Sequence, residues 1–153
     1  MKRSKPHSGS CRERRNELLL LDTNIVIQIV RDKEIGRRVD ASFQIRHRPD
    51  RPLISVVTVG ECLSLARQFK WGAQKIEAME ALLRELVIVP IESRPILDRF
   101  GEFHAWAKSI GRAISHNDIW IAATAAATGA HLITTDADFD PLHPAPIQRT
   151  IIA

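Results

Sequence analysis

At 153 residues the chain is long enough for one compact domain with a sizeable core and too short for two ordinary ones. Its 44% hydrophobic and 26% charged residues are ordinary for a globular protein and exclude a disordered, collagen-like or membrane-bundle chain. The net charge of +4 is unevenly placed: six basic residues and one acid precede Glu17, and the remainder carries 16 basic and 17 acidic residues.

Residues 1–16 therefore read as a basic extension, disordered by composition, and residues 17–153 as the folded domain. The extension has two readings, a solvated tail or an arm that attracts nucleic acid without regard to sequence. Residues 18–30 are the longest apolar stretch near the start, but Asp22, Thr23, Asn24 and Gln28 interrupt them. The stretch is shorter than the roughly 18 apolar residues of a membrane span. No signal-peptide pattern follows the basic start. Cys11 and Cys62 are too few for a disulfide framework and are not at metal-ligand spacing, so the expected setting is cytoplasmic with reduced thiols, without a membrane partner.

In chain order, Leu18, Leu19, Leu20 and Leu21 form a short apolar run closed by Asp22, the pattern of a strand buried on both faces. Residues 23–30 follow as a helix with Asp22 or Thr23 at its cap. A further helix is expected over 35–45, bounded by Pro49 and Pro52. Residues 53–56 read as the second strand and 58–69 as the helix after it, with Gly72 past its end. An amphipathic helix over 74–86 carries Ile76, Met79, Leu82, Leu83 and Leu86 at helical spacing. Residues 87–89 form a third strand stopped by Pro90. A long helix spans 93–109, with Pro95 in its first turn. The alanine-rich segment 117–128 is a helix ended by Gly129. Residues 132–134 and 147–151 complete the strands, separated by a loop with Pro141, Pro144 and Pro146. Alternating strands and helices predict an α/β domain, a three-layer α/β/α sandwich around a mostly parallel sheet.

Most acids, such as Glu77, Glu80 and Glu85, lie on helix surfaces beside basic residues. Five occupy different positions. Asp22 closes the first strand, Glu61 lies early in the helix after the second, Asp118 opens an otherwise uncharged helix, and Asp136 and Asp138 follow the fourth strand. Taken singly, each has a plain reading: a cap, an exposed helix residue, an acid favoured by the helix dipole, turn formers. Taken together, they are acids at four element boundaries that a parallel sheet brings to the carboxyl edge of its strands, where ligands bind. Converging carboxylates repel one another unless a cation lies between them, and oxygen ligands without His or Cys suit Mg²⁺ or Mn²⁺.

Leu21-Asp22-Thr23-Asn24, Glu61 within residues 55–61, residues 117–123 beginning Asn117-Asp118, and residues 132–139 with Thr134, Asp136 and Asp138 resemble, in order, the motifs of PIN-domain proteins, and among them the VapC-type toxins of bacterial toxin–antitoxin pairs. The resemblance covers residues 19–142. It implies a Mg²⁺- or Mn²⁺-dependent endoribonuclease that leaves a 5′-phosphate, a homodimer, and a small cognate VapB-type antitoxin that blocks the active site. It places Asp22, Glu61, Asp118 and Asp136 in the acidic metal and catalytic site, with Asp138 as a further acid and Asn24 and Thr134 as supporting polar residues. Gly60 and the basic extension depart from the family pattern.

RNA also needs cations away from the acids. Arg37, Arg38, Arg46, Arg48 and Arg51 are the densest basic stretch of the domain, and Arg46 and Arg48 are its candidate phosphate contacts. Asp32, Glu34, Asp40 and Asp50 interleave them, as on a solvated surface. Trp71, Trp106 and Trp120 read as packing residues, Cys62 as a small buried one, and His47, His104, His116 and His131 show no metal or triad spacing. Three alternatives stay open: a PIN-fold RNA-processing nuclease outside a toxin–antitoxin pair, a receiver-like phosphotransfer domain, and a catalytically silent binding module.

Overall fold

The computed structural model describes residues 17–142 and 146–152. The basic extension 1–16, Cys11 and Pro144 lie outside these residues. Strand β1 (Leu19–Leu21) leads into α1 (Thr23–Val30) and α2 (Glu34–Phe43), then a 3₁₀ turn (Ile45–His47). Strand β2 (Leu53–Ser55) precedes α3 (Val56–Gln68) and α4 (Ala73–Glu85). Strand β3 (Val87–Val89) precedes α5 (Arg94–Ser109) and α6 (His116–Thr128). Strand β4 (His131–Thr134), a 3₁₀ segment (Ala137–Leu142) and β5 (Gln148–Ile151) complete the fold.

The five strands form one sheet in the order β3-β2-β1-β4-β5, every pair parallel. Because side chains alternate across a strand, β1 feeds both faces. Leu19 and Leu21 pack with Ile54 and Ile133 against Ile25, Val26, Val39, Phe43, Cys62, Met79 and Leu82 of α1–α4. Leu20 and Leu132 pack on the other face against Ile96 and Phe103 of α5 and Ile119 and Ala123 of α6. The expected three-layer α/β/α sandwich is the observed fold.

Two boundaries move for local reasons. The sequence reading ran the second strand to Val56; instead β2 stops at Ser55, whose hydroxyl accepts the Val57 amide at 3.1 Å and starts α3 at once. A side-chain cap outweighs the β preference of Val56, which turns out to be exposed. Likewise α6 starts at His116, not Asn117, capped by the Ser115 hydroxyl. Helices α1 and α2 cross very closely at Gly36, where a Cβ would lie 2.5 Å from the Gln28 carbonyl oxygen.

The sheet order fixes where a site can form. The chain steps outward from β1 to β2 to β3, then returns to lay β4 on the other side of β1. The direction of winding reverses between β1 and β4, and a crevice opens beyond their carboxyl ends.

Candidate active site

Asp22 stands in that crevice at the end of β1. Its extended backbone (φ −69°, ψ 157°) lets it cap α1, with Oδ1 accepting the Thr23 amide at 2.7 Å. Oδ2 accepts the Thr134 hydroxyl, also at 2.7 Å. The residue is 3% exposed. Burial raises its pKa, the two hydrogen bonds pull it down, and the charges of Glu61 and Asp136 push it up again.

Thr134, at the end of β4, is fully buried and has a second task. Its hydroxyl accepts the Asp136 amide at 2.9 Å, and the Asp136 carboxylate in turn accepts the Asp138 amide at 2.8 Å. These two tight side-chain turns hold both acids just past the strand. Asp118 enters from the first turn of α6, its amide bonded to the capping Ser115 hydroxyl at 3.1 Å. Burial, and then the neighbouring charge of Asp22, push its carboxyl up to about 6, with Asp136 and Asp138 adding to the effect. Glu61 comes from the second turn of α3, where the Thr23 hydroxyl donates to Oε1 at 2.8 Å with Thr58 Oγ1 3.1 Å away.

The structure thus brings together Asp22, Glu61, Asp118, Asp136, Asp138 and Thr134. Asp118, Asp136 and Asp138 each offer a carboxylate oxygen within 4.8 Å of the others. Among the described residues, none of the five acids joins an ion pair. An oxygen-only donor set with no protein countercharge fits a hard divalent cation and does not fit a soft one.

Asn24 is exposed on the first turn of α1 and stands outside the hydrogen-bonded set among the described residues. Arg46 and Arg48 are not brought to the acids. With Arg51 and Arg84 they line a cavity of about 490 Å³ beside the residues that enter β2 and β3, at the amino edge of the sheet. Arg48 donates to the carbonyls of Phe43 and Glu17, so its guanidinium ties two chain segments together.

Three site residues escaped the sequence reading: Thr23 as the partner of Glu61, Thr58 beside it, and Ser115 as the cap that presents Asp118. The last had a signal, because Ser115-x-x-Asp118 has the spacing of a helix-capping box. The contacts of Thr23 and Thr58 span 35 and 38 residues and leave no local trace. Cys62 packs in the core beside the site, and burial pushes its thiol up to about 12. His131 bridges Glu17 at 2.9 Å and Thr150 at 2.7 Å, a structural role. All three tryptophans pack against the cores.

With this geometry in view, the relatives fall into one group. A profile of the PIN domain matches residues 19–142. Ribonuclease VapC1 of Haemophilus influenzae is 35% identical over 119 residues, covering 76% of this chain and 85% of its own. Ribonuclease VapC5 of Mycobacterium tuberculosis is 30% identical over 132 residues, covering 80% and 86%. Among solved structures, VapBC-1 of nontypeable Haemophilus influenzae superposes with a TM-score of 0.69 at 28% identity, covering 88% of this chain and 97% of the matched one. VapBC2 of Rickettsia felis, solved on a DNA fragment from its promoter, gives 0.73 at 20% identity over 88% and 98%, a likeness of fold. Both the matched span and the shared sequence place the chain in the PIN domain family.

Proposed function

We propose that this protein is a divalent-metal-dependent endoribonuclease and the toxin of a toxin–antitoxin pair. One observation carries the reading: five carboxylates from four parts of the chain share one crevice, and among the described residues none of them is paired with a cation. The ribonuclease names of its relatives, and the VapBC complexes among its structural neighbours, support the substrate class and a small antitoxin partner. Exposed Val87 and Ile88 on edge strand β3 offer apolar surface for the homodimer that the resemblance implies.

Asp118, Asp136 and Asp138 would hold Mg²⁺ or Mn²⁺, with Asp22 and Glu61 completing the acidic wall. Bound there, the ion supplies positive charge at the phosphate and an acidified water at neutral pH. The chain's own residues do the positioning. Thr134 keeps Asp22 and Asp136 at fixed separation, Ser115 aims Asp118, and Thr23 holds Glu61 towards the crevice. Asn24 is proposed as a contact at the rim, and Arg46 as a distant phosphate contact for longer RNA.

The test is incubation of the purified protein with mixed cellular RNA, with Mg²⁺ or Mn²⁺, with and without EDTA. Cleavage that EDTA abolishes and Mn²⁺ restores, leaving 5′-phosphate ends, is the expected result. Intact RNA in every lane, or cleavage indifferent to EDTA, would overturn the reading. Co-expression with a short neighbouring reading frame is expected to suppress the cleavage.

A further inference from the structure

A second cleft lies between the last turns of α5 and the first turn of α6, the helix that carries Asp118. It encloses about 370 Å³, and among its walls are His104, Lys108, Arg112 and His116. His116 lies two residues before Asp118 on the same helical turn, so the cleft and the carboxylates share one helix end.

Lys108, in the last turn of α5, and Arg112, just beyond it, differ from the earlier cations of that helix. Arg94 pairs with Asp98 at 2.8 Å and Arg99 with Glu102 at 3.2 Å, as on an ordinary solvated face. Lys108 and Arg112 are exposed and join no ion pair among the described residues.

The imidazoles are also held in place. Phe100 stacks on Trp120 at 3.9 Å and on His104 at 5.6 Å, and His104 meets His116 edge-on at 5.1 Å. This ladder of rings anchors the back of the cleft, while its cationic mouth stays open to solvent. A nuclease site built from carboxylates repels the polyanion it must bind, and neighbouring cations have to offset that repulsion. Arg46 and Arg48, at the opposite edge of the sheet, are poorly placed for this.

We infer that the cleft between α5 and α6 is a phosphodiester subsite, in which Lys108, Arg112 and His116 hold the RNA strand next to the carboxylate crevice. The inference rests on the ribonuclease reading and specifies where its substrate lies.

The experiment measures binding of a labelled single-stranded RNA of about 20 nucleotides to the full chain carrying Asp22→Asn, across a salt series. Adding Lys108→Ala and Arg112→Ala is expected to raise Kd roughly tenfold and to lower the slope of log Kd against log salt by about 1.4, near 0.7 for each lost phosphate contact. Exchanging the cations, Lys108→Arg with Arg112→Lys, should restore both values, which separates charge from packing. In the wild-type background the Ala pair should raise KM more than it lowers kcat. An unchanged Kd and slope in the Ala pair would overturn the subsite, as would weakened binding of a glutamate-rich peptide with RNA binding intact. If the wild type neither binds nor cleaves RNA, the ribonuclease reading falls and the subsite with it. If the wild type cleaves and the Ala pair matches it, only the subsite falls.

Discussion

Thr134 donates its hydroxyl proton to Asp22 Oδ2 at 2.7 Å, across 112 residues of sequence, and accepts the Asp136 amide with the same oxygen. One buried side chain therefore sets the spacing of two acids that arrive on neighbouring strands. Thr134→Val keeps the shape and removes both bonds. The expected cost is about 1–3 kcal/mol of stability, the scale for leaving buried polar groups unpaired. RNA cleavage should fall roughly 10–100-fold, as when partners behind a metal site are lost. Thr134→Ser should retain most of both. Thermal unfolding and initial cleavage rates check this, and a fully active Thr134→Val would reduce Thr134 to a packing residue.

Asp22 combines a helix cap with a charge, and Asp22→Asn separates the two. Asn caps a helix about as well as Asp. Removing a buried charge that Glu61 and Asp136 repel should raise the melting temperature of the metal-free protein. Cleavage should drop by roughly 10²-fold as the acidic wall loses a member. A variant that is less stable yet fully active would leave Asp22 with capping alone.

The raised carboxyls of Asp22 and Asp118 also fix the sign of a pH dependence. An acid whose folded pKa lies above its unfolded value favours folding in its protonated form. That contribution is present below the unfolded value near 4 and disappears as pH rises through the folded value, about 6 for Asp118. Metal-free protein should therefore melt at a higher temperature near pH 5.5 than near pH 7.5. Saturating Mn²⁺ should reverse the trend, because it binds the ionised carboxylates, and ligand at about 100 times Kd adds about 2.7 kcal/mol. Melting curves at both pH values, with EDTA or with Mn²⁺, decide the matter. A metal-free curve flat with pH would show that the acids do not share one crevice.

Gly36 tests the packing that carries the site. A Cβ there would lie 2.5 Å from the Gln28 carbonyl oxygen and 2.8 Å from the Ile29 Cα, both backbone atoms. Gly36→Ala must push α1 and α2 apart, at an expected cost of about 1–3 kcal/mol. Cleavage per folded molecule should hardly change at low temperature, since α1 stays anchored at Asp22. Urea unfolding alongside activity is the check, and an unchanged midpoint would mean that the helix pair yields freely.

Residues close in sequence made much of the protein readable without coordinates. Apolar runs such as Leu19, Leu20 and Leu21, the periodicity of Met79, Leu82 and Leu83, and Gly129 in the left-handed conformation after α6 define the elements through short-range sterics and burial. The acids stood out because they interrupt or end those patterns. Strand order left no such trace, since all the strands are only three or four residues long and parallel pairing joins distant segments. Only the folded chain sets β4 beside β1, which brings Asp136 to Asp22, and only folding carries Arg46 and Arg48 to the far edge. Hydroxyl contacts such as Thr23 with Glu61 were equally hidden, because a hydrogen bond between remote side chains depends on where two elements pack, and no local periodicity encodes that.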